Sequence, residues 1–239
     1  MSTEIKIVVT NKSSKQKEIF FFQQPAKYNG EQSVYSNSIL STHLPPFSEY
    51  GSKYEFGVRE VYYAGVVEVK EEIVPGKPYG FMTASRLVDL TPAAGAGESK
   101  PNCVSVKTNP LGIEAAKIDP TVAVGAFRIC SPVFDPERKR YLAGAAIEKS
   151  DKSIVLSSFV EMESNTDLDC QPVIKFYVAT GSYQAGTIMN FISSSRSAAE
   201  CDATKGRTKF HVSIEPDNTW KVESFFDDES LKAHLESLR

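Results

Sequence analysis

Apolar and polar residues alternate with a period of two along most of this chain, the pattern of half-buried β-strands. "EIKIVVTN" (4–11) alternates and runs into the polar cluster "NKSSKQ", and "EIFFFQQP" (18–25) follows, so residues 4–24 predict a β-hairpin. Three consecutive phenylalanines, Phe20 to Phe22, cannot all face one way. A strand apolar on both faces lies between two layers or ends in a cavity wall. A short strand over "SVYSNSIL" (33–40) meets a loop at Pro45 and Pro46, since consecutive prolines forbid regular pairing. Residues 53–70 read as one long strand and "FMTASRLVDL" (81–90) as another. "TPAAGAGESKPN" (91–102) is small, polar and rich in breakers, a flexible surface loop or a lid.

Beyond it, "CVSVKTN" (103–109) and residues 120–131 predict strands. Three further hairpins are expected over 140–163, turning at "KSDKS", over 172–193, turning at "TGSYQAG", and over 207–225, turning at "PDN". The C-terminal "DDESLKAHLESLR" is the one predicted helix, over 228–238. Asp227 or Asp228 can cap it, and Leu231, Leu235 and Leu238 share a face. About a dozen strands and one short helix give an all-β, antiparallel β-sandwich or flattened barrel, in a single domain over 1–239. A parallel βαβ fold is excluded, because no helices are available for crossovers.

Composition narrows the chemistry. The net charge is −3, and the most basic run, "PERKR" (136–140), is short, which argues against a nucleic-acid surface. No apolar run approaches the ~20 residues of a membrane span. "MSTEIKIVVTNKSSK" lacks a secretory pattern, so the chain is expected to be soluble and cytoplasmic, or secreted if a leader has been removed. Cys103, Cys130, Cys170 and Cys201 show no CxxC spacing. They are either buried free thiols or one or two disulfides.

No GxGxxG, Walker loop or GxSxG elbow is present, so no cofactor is expected. Only His43, His211 and His234 occur. His211 is placed on a polar strand face and His234 on the solvated side of the helix, and no HxH cluster suggests a metal centre. "NTDLD" (165–169) is either an acidic calcium loop or a solvated turn.

Four constellations could carry a site. In "YEFGVREVYYAG" (54–65), every second residue places Tyr54, Phe56, Val58, Glu60 and Tyr62 on one face. A carboxyl among aromatic walls has its ionised form disfavoured, which suits a general acid. Arg128 alternates with Val122, Val124 and Ala126. If it faces inward, it must meet a carboxylate, with Glu60 as the economical partner, or a ligand oxygen. Lys175 shares a face with Tyr177, whose phenol could orient a ligand. Trp220 beside the "PDN" turn is either a core plug or a stacking platform. The candidate catalytic residues are thus Glu60, Arg128, Tyr62 and Tyr177. The candidate substrate contacts are Tyr54, Phe56, Lys175 and Trp220.

The stretches "TNKSSKQKEIFFFQQPAKYNGEQSVYSNS" (10–38), "PVIKFYVATGSYQAGTIMNF" (172–191) and "DNTWKV" (217–222) resemble small β-sandwich proteins of fungi and bacteria. They are similar in pattern to the hetero-Diels–Alderases of tropolonic sesquiterpenoid biosynthesis. The resemblance covers most of the chain and carries over no catalytic residue. It implies cofactor-free secondary-metabolite chemistry: dehydration of a hydroxymethyl tropolone-type precursor to a quinone methide, then cycloaddition with a humulene-type alkene. Such an enzyme needs an aromatic cavity that pre-orients two apolar partners, one acid and one carbonyl-polarising donor. The competing class is a lectin-like or membrane-active binding module, with Phe47, Tyr50 and Tyr183 as exposed loop aromatics. Open strand edges would also permit a homodimer.

Overall fold

The computed structural model describes residues 3–30, 32–78 and 84–238. Its strands are β1 (Glu4–Asn11), β2 (Lys17–Gln23), β3 (Lys27–Tyr28), β4 (Tyr35–Leu44), β5 (Lys53–Val69), β6 (Ala84–Val88), β7 (Cys103–Thr108), β8 (Leu111–Ile113), β9 (Phe127–Cys130), β10 (Arg140–Lys149), β11 (Ile154–Glu161), β12 (Asp167–Gln171), β13 (Lys175–Thr180), β14 (Ile188–Met189), β15 (Ala199–Asp202), β16 (Lys209–Ile214) and β17 (Trp220–Phe225). The helices are α1 (Phe47–Tyr50), α2 (Phe191–Ser195) and α3 (Asp228–Ser237), so two single-turn helices join the predicted C-terminal one. Residues 81–83 of the strand expected over 81–90 lie outside the described residues.

The all-β architecture follows the period-two pattern. Ten strands form one ribbon in the order β15–β13–β2–β4–β11–β10–β5–β1–β16–β17, with β14 beside β4 and β6 beside β5. The ribbon nearly closes on itself, because Trp220 Nε1 on β17 donates to Ser197 O just before β15, at 2.8 Å. A second sheet, β3–β12–β9–β7–β8, packs against the ribbon at β5 and β10. Pairing is antiparallel except between β1 and β16 and between β7 and β9.

Four apolar clusters fill the layers. Ile7, Phe21, Phe56, Phe176 and Phe210 pack inside the ribbon. Val66, Phe127, Ile129 and Tyr141 fill the space between the ribbon and the small sheet. Phe159 and Leu142 belong to a third cluster, and Phe20 and Phe22 to a fourth under α2. The Phe20–Phe22 run thus lies between two layers, with Phe21 inside and its neighbours outside. Burying each ring stabilises by about 1.5–3 kcal/mol.

Two predicted hairpins form: β10 with β11, and β16 with β17 about a turn where Asn218 has φ 65°. Two do not. β1 pairs with β5 and β16, while β2 pairs with β4 and β13 on the far side of the ribbon. The Asn11 side chain explains the parting. Its Nδ2 donates to Lys15 O and to Leu44 O, at 2.8 and 3.0 Å, which ties the turn to the end of β4. In the segment 172–193, β13 takes β2 and β15 as neighbours, and β14 adds to β4. The strand expected over 120–131 shrinks to β9, because the preceding residues turn through Gly125 at φ 75°.

Tyr28 fastens the small sheet to the ribbon. Its hydroxyl donates to Ser158 O at 2.8 Å and accepts from the Ala145 N–H at 3.2 Å. Tyr28→Phe leaves that N–H without its partner and is expected to cost about 1–3 kcal/mol. Urea unfolding reads the loss; an unchanged midpoint would show that the hydroxyl holds nothing.

Candidate functional site

The structure sorts the eight predicted site residues into separate places. Tyr54 and Phe56 pack on Phe21, at ring-centroid distances of 5.8 and 4.5 Å, as part of the inner core. The pairing with β10 then slips. Arg59 pairs with Glu148 and Tyr62 with Ile147, so Glu60 and Val61 form a bulge with no opposing pair. Beyond the bulge Tyr62 packs in the cluster under the small sheet, whereas Tyr54 and Phe56 pack in the inner core, so the expected face is divided between two clusters. Glu60 and Tyr62 do meet: burial, and then the Glu60 carboxylate, push the Tyr62 phenol up to about 12.

Arg128 is not Glu60's partner. It forks Asp169 through Nε and Nη2 at 2.6 and 3.0 Å, and its Nη1 reaches Asp119 at 3.2 Å and Asp167 at 3.7 Å. The acidic run 165–169 is thereby committed to an arginine on the neighbouring strand. Lys175 and Tyr177 come together on β13, where Lys175 pairs with Glu200 and Asp202 at 3.2 Å each. Tyr177 O–H donates to Glu200 at 2.9 Å, and burial followed by Glu200 raises its phenol strongly. Trp220 is the plug that closes the ribbon. All four cysteines are free thiols, with Cys103 Sγ and Cys130 Sγ 3.5 Å apart.

Polar groups and open space converge instead along α3. Asp227 caps the helix by accepting from the Ser230 N–H at 2.7 Å. Asp228 then pairs with Lys6 at 3.0 Å and Lys209 at 3.2 Å, and Leu231 is buried against the ribbon. These contacts lay the helix over β1, β16 and β17, so the polar face of β16 is covered: Lys209, His211 and Ser213 are all buried.

On one side of the helix, His234 Nε2 lies 2.9 Å from His211 Nδ1. Glu223, which faces His211 across the β16–β17 pair, places Oε2 3.2 Å from His234 Nε2 and 3.6 Å from His211 Nδ1. The other ring nitrogen of His211 is 2.9 Å from Thr10 Oγ1 on β1. Burial, and then neighbouring His234, push His211 down to about 4, which keeps it neutral at pH 7. Burial works to raise the Glu223 carboxyl, but His234 and Lys221 outweigh it and hold it below the usual range.

On the other side of the helix, a hollow of about 320 Å³ is lined by Val8, Leu231 and Leu235 and by the charged Lys6, Lys53, Glu55, Asp228, Lys232 and Glu236. A second, of about 280 Å³, is lined by Thr10, Phe47, Tyr50, Lys53, Leu235 and Leu238. Lys53 and Leu235 belong to both, so the two hollows form one groove along the helix.

Thr10, His211, Glu223 and His234 are absent from the sequence-based candidates. One signal was present: counting back from the "PDN" turn pairs His211 with Glu223. Nothing local brings His234 or Thr10 to them. The fold and site therefore define a nearly closed β-ribbon with a helix-walled surface groove. Compared with protein-family models, curated proteins and solved structures, the chain matches none. Among the described residues, no helix is long and apolar enough to cross a membrane.

Proposed function

We propose that this protein takes an apolar small molecule into the groove between α3 and the ribbon. The observation that carries the reading is the pair of adjoining hollows, about 320 and 280 Å³, sharing the Leu235 side chain. Their joint size falls in the ordinary range for ligand pockets, roughly 300–1,000 Å³. Val8, Phe47, Leu231, Leu235 and Leu238 supply apolar wall, and Lys53 offers a cation at the centre. The ribbon's interior is filled by its own phenylalanines, which supports a site on the wall. The cofactor-free cycloaddition implied by the family resemblance would run in this groove, with the Lys53 ammonium as the donor offered to a carbonyl, since Lys6 is paired with Asp228 and Glu55.

The lectin-like or membrane-active alternative draws less from the surface. Of the three loop aromatics it would use, Tyr183 packs on Phe20 at 4.8 Å, and Phe47 and Tyr50 both line the groove, with Tyr50 the exposed one.

A thermal-shift panel tests the proposal, with terpenoids, tropolones and polyketides in one arm and sugars and Ca²⁺ in the other. A ligand at ~100 times its Kd stabilises the folded state by about 2.7 kcal/mol. Apolar ligands are expected to raise Tm in the wild type, and Leu235→Arg, which fills the groove with a charged chain, is expected to abolish the rise. A rise that survives Leu235→Arg, or one given by sugars or Ca²⁺ alone, overturns the reading.

A further inference from the structure

We propose that His211 Nδ1, His234 Nε2 and a Glu223 carboxylate oxygen form a three-ligand site for a zinc-class divalent ion. The three atoms come from β16, α3 and β17, at mutual separations of 2.9, 3.2 and 3.6 Å. Three ligands on one face of a tetrahedral zinc, with bonds near 2.0–2.2 Å, stand roughly 3.3 Å apart. The triangle needs only a few tenths of an ångström of adjustment to take the ion. All three ligating atoms lie within 4.8 Å of one another.

The chemistry of the donors agrees with the geometry. Two imidazoles and one carboxylate suit zinc and its transition-metal neighbours, and not calcium or magnesium, which favour oxygen ligands. One carboxylate against a divalent ion leaves the site with a single positive charge. That is the donor set of catalytic zinc centres, in which water or substrate takes the fourth place. Glu223 is about one-third exposed and His234 about one-fifth, whereas His211 is buried, so the open side faces solvent past Glu223.

Thr10 supplies an independent, second observation. Histidine ligands commonly donate their non-ligating N–H to a fixed acceptor, which sets the tautomer. Thr10 Oγ1 stands 2.9 Å from His211 Nε2 and can accept that proton, leaving the Nδ1 lone pair aimed at His234 and Glu223. Without the ion, the His234 Nε2–H can be shared between His211 Nδ1 and Glu223 Oε2, and this proton occupies the place the metal would take. Binding then requires His234 to carry its proton on Nδ1, with no net proton lost from the imidazole. The ion would also cross-link α3 to two strands, beside the groove but independently of any ligand there.

The test is Co²⁺ and Zn²⁺ titration of the whole chain after chelator treatment, read by visible absorption and thermal shift. The expected result is one Co²⁺ per chain with the ligand-field bands of a four-coordinate site, displacement by Zn²⁺, and a rise in Tm of several degrees. Glu223→Gln and His234→Ala, checked for folding by circular dichroism, are expected to lose both signals, and His43→Ala to keep them. Thr10→Val is expected to weaken binding about 10–100-fold, because it releases the His211 tautomer. If wild type shows no four-coordinate Co²⁺ spectrum, or if Glu223→Gln and His234→Ala bind as tightly as wild type, the proposal fails. The trio is then a hydrogen-bonded clasp for the helix alone.

Discussion

Gly144→Ala is expected to cost about 4 kcal/mol or more, a large part of the stability of a domain this size. Gly144 sits on β10, where the ribbon passes beneath Tyr28. A Cβ built there falls 2.2 Å from Ser158 O, 2.5 Å from the Tyr28 hydroxyl and 2.6 Å from Phe159 Cα. Two of these three neighbours are backbone of the paired strand β11, so no rotamer change relieves the contact. The strand must move, and Tyr28 must release Ser158 and Ala145, which removes the fastening between the two sheets. Gly112→Ala is the control: its Cβ meets nothing within 4 Å, and it is expected to be near neutral. Soluble yield and urea unfolding of the two variants compare them directly. Equal stabilities would mean that β10 and β11 are not packed as closely as described.

Arg128→Ala carries the second large effect. The guanidinium is only 15% exposed and holds Asp169 at 2.6 Å, with Asp119 and Asp167 around it. Removing it leaves three carboxylates facing one another without a cation. Breaking a fully buried pair costs about 3–5 kcal/mol. Asp167 is more than half exposed, which solvates part of the charge, so about 3 kcal/mol is expected here. Arg128→Lys should recover only a fraction, since one ammonium cannot fork Asp169 and also reach Asp119. Glu60→Gln discriminates between the two possible partners. With Arg128 committed to β12 and the 119–121 turn, the change should move stability by less than about 0.5 kcal/mol. A loss equal to that of Arg128→Ala would re-pair Glu60 with Arg128.

The eight predicted site residues show where the sequence reading stops. Tyr54 and Phe56 do face the core, as alternation requires. Glu60 could not be assigned, because the bulge at Glu60–Val61 takes it out of the ladder and leaves it no opposing residue on β10. Bulges leave no period of their own in a sequence. Arg128 was legible as a half-buried cation in need of an acid, but its partner was chosen from the wrong sheet, since Asp169 lies 41 residues away on β12. The polar alternation at Lys209, His211 and Ser213 was equally visible. It signified an exposed face only until α3 was known to lie on it.

Local chemistry in the chain determined the strand content, the 140–163 and 207–225 hairpins and the Asp227-capped helix. Period-two burial, short turns and a side-chain cap are each settled within a few residues. Tertiary structure decided that β1 and β2 part company, that the ribbon closes at Trp220, and that a groove forms beside α3. It also decided the meeting of Thr10 with His211, 201 residues apart, and of both with Glu223 and His234. Such encounters depend on which strands pair, in what register and under which helix. A polar side chain carries no local mark of the partner that non-local packing will bring to it.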